Sequence, residues 1–475
     1  MNEFFSPENY VKNSSKTEKS REVMLAERGI SFDTKGRAVF KASQFIRYAM
    51  MVTDSRQNRA GIWFYNYQEK HYDLLESELY RKIFFYIMEQ ADENIWTHSM
   101  ENKYLSYFKN KVQAFQTSGK KAGVLQFSNC ILDFSDGQKK IIDSTPEHFC
   151  NFRLPYNYDE NAECPEFLHF LYDIFENDEE RVKLVQEIMG ACLYYDKCMQ
   201  YLVVFLGRGS NGKSVLASAV RHMLGDENVS AIALDRLSGD KFSKQNLDGK
   251  LLNISSETKS EKVYSTADFK ALTGGDSVEV EKKFQDAYTT EIYSKYIVLA
   301  NEMFQTDDNS DGFYRRLLII PFHQKYEKKS SDGVPDKNRK YQDVFLEQKL
   351  KKELSGIFNF ALEGFFRLWK NGFQFSDSSV CMEAQRNFRH EHNLAAAFLN
   401  ECAEIKENVI VKSCELFPRF EKFCKENHYN RQNNKTTKKK FFQLLEEVID
   451  DENLNIAKVY DDKEKCYYVG MKLKS

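Results

Sequence analysis

The chain has 475 residues, 42% of them hydrophobic, which is enough for about three domains with substantial cores. No apolar run reaches the length of a membrane span, and the first twenty residues lack the apolar segment of a signal peptide, so we expect a cytoplasmic protein without a membrane partner. A formal net charge of -3 argues against non-specific coating of nucleic acid by the whole surface. The ten cysteines form no Cys-x-x-Cys pair, which argues against a zinc site and a disulfide framework.

Residues 1–160 are predicted to form an accessory domain of mixed strands and helices. The stretch IWFYNYQEKHYDLL predicts a hairpin that turns near residues 68–70, and ELYRKIFFYIME predicts an amphipathic helix. In NKYLSYFKNKVQAFQTSGKK, tyrosine and phenylalanine alternate with lysine. This pattern is typical of an ordinary helix with a basic face, and the alternative is a path for single-stranded nucleic acid.

The stretch GRGSNGKS follows an apolar strand, YLVVFL, and precedes a segment of helical period, VLASAVRHMLG. This order and spacing are typical of a loop that holds nucleotide phosphates on backbone N–H groups at a helix N-terminus. Lys213 supplies a positive charge and Ser214 offers a hydroxyl to Mg²⁺, so the expected cofactors are ATP and Mg²⁺. A Gly/Ser surface turn is the alternative. The candidate binding residues are Gly207, Arg208, Gly209, Ser210, Asn211, Gly212, Lys213 and Ser214.

Three further apolar segments predict strands that place polar residues near the nucleotide. GKLLNISSET leads to Glu257, which is a candidate to polarise the attacking water, although a solvated rim is an equal alternative. YSKYIVLAN ends on Asn301, whose amide suits a bridge between water and phosphate. In DGFYRRLLIIPF, Arg315 and Arg316 stand directly before a strand, and the arginine fork suits charge that spreads over phosphate oxygens.

The order GRGSNGKS, NISSET, LTGGDSVEVEKKF, IVLAN, FYRRLLIIPF resembles that of superfamily 3 helicases. It is most similar to the helicase part shared by phage and plasmid primases and poxvirus nucleoside triphosphatases, a group that includes the Rep initiator helicases of phage-inducible chromosomal islands. The resemblance covers roughly residues 120–400. Ser256 occupies a place that is often acidic in this family, which leaves Ser214 and Glu257 as the candidate metal ligands.

The resemblance implies an α/β fold with an AAA+ type P-loop motor at residues 161–375, in which helices flank a parallel sheet. It implies a homo-hexameric ring around DNA, in which Arg316, or alternatively Arg315, reaches the nucleotide of the neighbouring subunit. The segment LTGGDSVEVEKKFQDAYTT would form a hairpin in the channel. There Lys282 and Lys283 would hold phosphates of one strand and Phe284 would stack or pack; an exposed charged hairpin is the alternative.

Residues 376–475 are predicted to contain a linker helix and a winged-helix domain. Residues 412–441 carry nine basic and three acidic residues, a local balance of 9 - 3 = +6. LFPRFEKFCKEN and TTKKKFFQLLEEVI predict two helices, and NIAKVYDDKEKCYYVGMKL predicts a terminal hairpin. The basic start of the second helix suits duplex DNA, whereas a solvated lysine cluster is the alternative. The candidate contacts are Arg431, Lys435, Lys438, Lys439 and Lys440.

Together these patterns favour an ATP-dependent hexameric DNA helicase that acts in replication of a mobile element and recognises its origin. Residues 1–150 show no paired carboxylates typical of a primase, so a separate primase is the expected source of primers. The alternatives are an origin-binding initiator that uses ATP only as an assembly switch and an ATP-driven protein remodeller.

Overall fold

Buried hydrophobic side chains form four cores within the part of the chain that the computed structural model describes. One core holds the N-terminal region, two lie on opposite faces of a central parallel sheet, and one holds the C-terminal region. The described residues are 5–12, 19–58, 60–115, 121–237, 241–256, 270–271, 273–281, 287–304, 311–327, 340–391, 393–427, 437–451, 453–461 and 464–474.

The N-terminal region packs four helices against an antiparallel three-stranded sheet, β3-β4-β5, and a separate hairpin. Its elements are a 3₁₀ helix at Pro7–Tyr10, α1 (Arg21–Glu27), β1 (Ile30–Phe32), β2 (Ala38–Phe40), α2 (Ala42–Val52), β3 (Ser55–Asn58), β4 (Gly61–Asn66), β5 (His71–Leu75), α3 (Ser77–Glu89) and α4 (His98–Lys111). The predicted hairpin and amphipathic helix are confirmed as β4–β5 and α3. In α4, Tyr104 and Phe108 are fully buried in this core, so they cannot stack on nucleic-acid bases.

A small antiparallel sheet and two helices follow, and they share their core with the central sheet. They are β6 (Val124–Gln126), β7 (Ile131–Asp133), β8 (Lys140–Ile142), α5 (Pro165–Ile174) and α6 (Glu179–Cys192). The core joins Leu125 and Tyr158 to residues as distant as Leu368. Residues 125–158 therefore pack with the helices that cover the central sheet, and the domain boundary predicted near residue 160 stays a prediction.

The central sheet has five parallel strands in the order β10-β11-β14-β9-β15, which confirms the predicted parallel sheet flanked by helices. The elements of this region are β9 (Leu202–Leu206), α7 (Lys213–Leu224), a 3₁₀ helix at Asp226–Asn228, β10 (Val229–Ser230), α8 (Leu234–Leu237), α9 (Lys241–Gln245), β11 (Leu252–Ser256), β12 (Ser277–Val280), β13 (Tyr288–Glu291), β14 (Lys295–Ala300), α10 (Asp311–Tyr314) and β15 (Leu317–Pro321).

Side chains of the central strands alternate between two cores, as the pleat of a strand requires. In β9, Leu202 and Val204 face one core, whereas Val203 and Phe205 face the other. Because both faces are covered, the strands are almost continuously apolar. In register, Leu206 lies opposite both Ala300 and Pro321, so β9, β14 and β15 end together at one edge of the sheet.

Helices that follow the sheet close the core on which α7 lies and then lead into the C-terminal region. They are α11 (Leu346–Leu350), a 3₁₀ helix at Lys351–Glu353, α12 (Leu354–Lys370) and α13 (Ser379–Glu391). Helix α12 packs closely on α6. A Cβ atom at Gly190 would lie 2.3 Å from the Phe365 nitrogen, and one at Gly364 would lie 2.2 Å from the Gln186 carbonyl oxygen. Glycines at both contacts allow the two backbones to approach.

The C-terminal region is a three-stranded antiparallel sheet, β16-β18-β17, packed on three helices. Its elements are α14 (Leu394–Cys402), β16 (Ala403–Lys412), α15 (Ser413–Glu426), α16 (Lys438–Asp451), β17 (Ala457–Tyr460) and β18 (Cys466–Leu473). The two helices and the terminal hairpin predicted from sequence are confirmed. Strand β16, which completes the sheet, was not predicted.

Candidate nucleotide site

The carboxyl ends of the parallel strands bring the predicted phosphate loop and Asn301 together. The loop follows β9, Asn301 follows β14, and Phe322 follows β15. Two backbone hydrogen bonds hold these exits side by side: Gly207 N–H donates to the Ala300 carbonyl oxygen (3.1 Å), and Phe322 N–H donates to that of Leu206 (2.7 Å). This edge is where open α/β sheets bind ligands.

Glycine is required in the loop at two positions for different reasons. Gly212 has φ 92°, a left-handed conformation that favours glycine, and it turns the chain into α7. A Cβ atom on Gly207 would lie 2.4 Å from Asn211 Nδ2 and 2.5 Å from the Phe322 carbonyl oxygen. By contrast, a Cβ atom on Gly209 would meet nothing within 4 Å. Gly209 therefore borders open space, which is the side from which phosphates would approach the loop.

Asn211 holds the loop in shape from within. Its side chain is 2% exposed, and Nδ2 donates to the Arg208 carbonyl oxygen (3.0 Å) and, at 3.4 Å, to that of Phe322. Its Oδ1 accepts from Lys213 Nζ at 3.1 Å. Because burial removes it from water, the Asn211 amide acts as a fixed brace between the two ends of the loop.

Lys213 points back into the loop from the first turn of α7. It is 6% exposed, and its Nζ donates to the Gly207 carbonyl oxygen and lies 3.5 Å from Asn301 Oδ1. Burial lowers the pKa of this ammonium below its ordinary value. All of these partners are neutral, so an anion bound in the loop would supply the opposite charge that Lys213 lacks here.

Of the two candidate metal ligands, Ser214 lies within the described residues, and it is exposed in the first turn of α7. Its hydroxyl is therefore accessible at the helix N-terminus, which suits one ligand to Mg²⁺. Glu257, the other candidate, lies outside the described residues and directly follows β11. Across the described ranges there is no cluster of three or more His, Cys, Asp or Glu side chains placed to hold a metal ion. Few protein ligands at this place are compatible with Mg²⁺, because this ion keeps several waters when it binds proteins and would be held mainly by phosphates and water.

A short segment after β15 braces the loop from outside, and sequence reasoning missed it. Tyr326 N–H donates to the Ser210 carbonyl oxygen at 2.8 Å, while the Tyr326 hydroxyl donates to the Asp173 carboxylate in α5. This segment supports Ser210, whose φ of 61° is unusual for a residue other than glycine. The only sequence signal is the position of the segment immediately after the strand, because the partner Asp173 is 153 residues away.

The two candidate arginines lie at the opposite, amino end of the sheet. The Arg316 carbonyl oxygen accepts from Leu202 N–H (2.7 Å), which places the arginine pair beside the start of β9. Arg316 is half-buried and donates to the Gly312 carbonyl oxygen (2.6 Å) and to Gln200 Oε1 (3.2 Å). Arg315 is exposed. The structure thus does not bring either arginine to the phosphate loop of its own chain.

The predicted nucleic-acid contacts are described only in part. The channel segment does form a hairpin stem, in which Val280 of β12 pairs with Tyr288 of β13. In the C-terminal region, Lys438 and Lys439 are exposed at the start of α16, and Lys440 is half-buried. The remaining candidates lie outside the described residues: Lys282, Lys283, Phe284, Arg431 and Lys435.

Two protein families match parts of the chain. Residues 50–176 match the family described as D5 N terminal like, and residues 205–316, which include the loop and both arginines, match a family of unknown function, DUF5906. A protein of Acanthamoeba polyphaga mimivirus, named putative helicase L207/L206, is 25% identical over 265 residues. That alignment covers 52% of this chain and 27% of the viral protein, so the chain spans about a quarter of its relative. These matches support a relationship to D5-like proteins.

Among solved structures, the chain is similar to apo forms of the C terminal region of NrS-1. One has a TM-score of 0.44 at 12% identity, with 97% of this chain and 100% of that chain covered. Another has a TM-score of 0.43 at the same identity, with 95% and 99% covered. None of the helices in the described ranges has the length and apolar character needed to cross a membrane.

Proposed function

We propose that the protein is an ATP-dependent DNA helicase that unwinds duplex DNA during replication of a mobile genetic element. The observation that carries the proposal is the loop between β9 and α7, in which buried Lys213 lies among neutral acceptors beside Asn301. A helix N-terminus with a lysine that has no anionic partner there suits nucleotide phosphates. The likeness to a viral protein named putative helicase and to the D5 N terminal like family supports DNA unwinding as the use of that nucleotide.

In this proposal each residue of the site has a separate task in hydrolysis. The backbone N–H groups of the loop and Lys213 hold the phosphates, and the exposed Ser214 hydroxyl takes one position on Mg²⁺, which neutralises charge on the phosphate oxygens. Glu257 polarises the attacking water. Asn301, an exposed amide at the end of β14, orients water or the terminal phosphate. Binding and hydrolysis are therefore separable by mutation.

In this proposal the enzyme acts as a ring, because both candidate arginines lie at the end of the sheet opposite the phosphate loop. The five residues of β15 separate the arginine pair from the site edge by about 16 Å at the rise of a strand. A head-to-tail contact, as in a homo-hexamer, would bring this end of one subunit to the loop of the next. Arg315 is exposed and Arg316 is anchored, which favours Arg315 as the residue that reaches the nucleotide of the neighbouring subunit. The assignment of this role to Arg316 stays a prediction.

We assign two DNA contacts to the proposed helicase. Lys282 and Lys283, in the segment of the chain between β12 and β13, would hold the phosphates of one DNA strand in the channel, and Phe284 would stack or pack there. The C-terminal region follows the element order helix, strand, helix, helix, strand, strand, which supports a winged helix. Its basic helix start, with Lys438 and Lys439 exposed, would contact duplex DNA and favour the origin.

The decisive test is unwinding of a forked duplex by the purified protein together with DNA-stimulated ATP hydrolysis. The wild-type chain should unwind the fork with ATP and Mg²⁺, Lys213→Ala should lose nucleotide binding, and Glu257→Gln should bind ATP yet hydrolyse it very slowly. Absence of unwinding by a wild-type ring that hydrolyses ATP would overturn the helicase proposal. Normal turnover by Glu257→Gln would remove that residue from water activation.

The competing functions give different results in the same assays. An initiator that uses ATP only as an assembly switch would bind the origin without unwinding, and a protein remodeller would hydrolyse ATP without stimulation by DNA. Deleting residues 401–475 should remove preference for origin duplex over scrambled duplex, yet leave unwinding of a preformed fork. Primer synthesis is assigned to a separate primase, so the purified chain alone should make no primers.

A further inference from the structure

An exposed apolar pair, Val344 and Phe345, lies near the phosphate loop and has no role in the chemistry above. Val344 is 79% exposed and Phe345 is 61% exposed, the largest values for a valine and a phenylalanine among the described residues. Apolar residues of this size that lie together on a surface mark a binding site more often than singly scattered ones do. The pair immediately precedes α11.

The first anchor of the pair is the segment that braces the loop. Tyr326 N–H donates to the Ser210 carbonyl oxygen, as described above. The next residue, Glu327, pairs with the chain that leads to the apolar pair: its N–H donates to the Lys340 carbonyl oxygen (2.9 Å), and its own carbonyl oxygen accepts from Gln342 N–H (3.0 Å). Val344 thus lies two residues after Gln342, whose backbone is hydrogen-bonded to the segment that braces the phosphate loop.

The second anchor is helix α7. Ser218 Oγ donates to Glu347 Oε1 at 3.2 Å, and Glu347 stands two residues after Phe345. Ser218 is five residues after Lys213, which is about 7.5 Å along an α-helix. In the chain, the pair lies between these two anchors, and Glu347 Oε1 also lies 3.9 Å from His222 Nε2, one turn further along α7. The pair is thereby tied both to the loop and to the helix that follows it.

The charged side chains that flank the pair already have partners. Lys340 is paired with Asp173, Lys349 with Asp343 (2.9 Å), and Lys351 with Glu347 (3.3 Å). The surface between them therefore offers apolar and aromatic area with little net charge. Such a surface suits a neutral, flat ring better than a phosphate.

We propose that Phe345, with Val344 beside it, binds the base of the nucleotide whose phosphates the loop holds. The inference rests on the proposed function, because it needs a nucleoside triphosphate at that loop. Stacking tolerates any base, since every base has a π-face. The contact therefore adds affinity in proportion to ring size, more for a purine than for a pyrimidine, without selecting one base.

The test compares ligands that share phosphates and differ in the base. Affinities of the full chain for ATP, CTP and inorganic tripolyphosphate, each with Mg²⁺, are measured by isothermal titration calorimetry. Phe345→Ala should weaken ATP by about tenfold, the scale of one lost base stack. The same change should weaken CTP less and leave tripolyphosphate unchanged, and Phe345→Trp should retain wild-type affinity for ATP. Tyr460→Ala, which removes a 62% exposed aromatic ring from β17, is the matched control and should change none of the three.

Each contrary outcome is distinct. Unchanged ATP affinity in Phe345→Ala, or an equal loss for ATP and tripolyphosphate, would overturn the base contact while leaving the nucleotide site intact. Loss of self-association in sedimentation velocity, with ATP affinity unchanged, would assign the pair to a second copy of the chain and also overturn it. A wild-type chain that binds neither ATP nor tripolyphosphate would overturn the proposed function itself, and the inference with it.

Discussion

At the carboxyl end of the central sheet the chain surrounds its own lysine, whereas at the amino end it leaves an arginine exposed to solvent. Lys213 is 6% exposed and lies among Gly207, Asn211 and Asn301. Arg315, at the other end, is exposed, and only its neighbour Arg316 is anchored to the chain. The first end thus surrounds a cation that has only neutral partners, while the second presents a cation to solvent.

The largest expected effect separates the two arginines. Arg315→Ala should bind ATP normally but lower its turnover by about 10³-fold or more, because an arginine finger acts only on the charge of the transition state. Arg316→Ala, the matched variant one residue away, should lose mainly stability. Steady-state ATPase assays and nucleotide titration of both variants measure the split.

Mixing the variants tests whether the site is shared. Arg315→Ala keeps an intact loop and Lys213→Ala keeps an intact arginine, so mixed rings should recover part of the ATPase activity. Slow turnover in Arg316→Ala with normal turnover in Arg315→Ala would reverse the assignment. No recovery in samples shown by native mass spectrometry to contain mixed rings would refute a site shared between subunits.

A smaller effect is expected at the open side of the loop. Gly209→Ala should leave the thermal midpoint unchanged, because the added Cβ meets nothing within 4 Å. It should weaken the binding of ATP by roughly 10- to 100-fold, because the Cβ would occupy the open side of the loop and keep a phosphate from one hydrogen bond to a loop N–H group. Calorimetric titration and thermal unfolding together give both values, and wild-type ATP affinity would show that the phosphates do not approach Gly209.

The closed side of the loop should respond in the opposite sense. In Gly207→Ala, the new Cβ would lie 2.5 Å from the Phe322 carbonyl oxygen, so the backbone must shift. We expect the free energy of unfolding to fall by about 1–3 kcal/mol, the usual range for overpacking. Urea denaturation of Gly207→Ala beside Gly209→Ala measures this contrast, and equal stability of the two variants would contradict it.

The loop was predictable from sequence because its geometry is local. Eight consecutive residues between an apolar strand and a helical period specify a strand, a turn and a helix N-terminus, and the structure has all three. The apolar runs likewise predicted four of the five parallel strands, whereas β10, which has only two residues, was not predicted. Sequence could not predict that Arg315 is exposed and Arg316 is anchored, because the two residues are adjacent and chemically identical. In the fold, Gln200 and Gly312 accept hydrogen bonds from Arg316.

A contact between residues distant in sequence accounts for one further omission, and unexpected exposure accounts for two others. The brace from Tyr326 to Asp173 joins residues 153 positions apart, and neither residue belongs to a recognisable spacing. Strand β16 was missed because its residues are mostly exposed, so it lacks the apolar alternation that marks a half-buried strand. The exposed position of Phe345 was equally hidden, because an isolated apolar pair in a sequence is usually core.

The smallest expected effect is at the anchor of Arg316. Gln200 accepts from Arg316 at 3.2 Å and also donates from Nε2 to the Gly274 carbonyl oxygen at 3.3 Å. Gln200→Ala should therefore reduce the free energy of unfolding by about 1 kcal/mol, as for one partly exposed hydrogen-bonding side chain. If Arg315 is the finger, ATP turnover stays at the wild-type rate, because Gln200 does not hold that residue. If Arg316 is the finger, its release from Gln200 changes turnover along with stability.

Gln200→Glu is the sharper companion, since a carboxylate would hold Arg316 more firmly by a charged hydrogen bond. Lower turnover in Gln200→Glu, with stability retained, would show that the amino end of the sheet acts through Arg316 and would contradict the choice of Arg315.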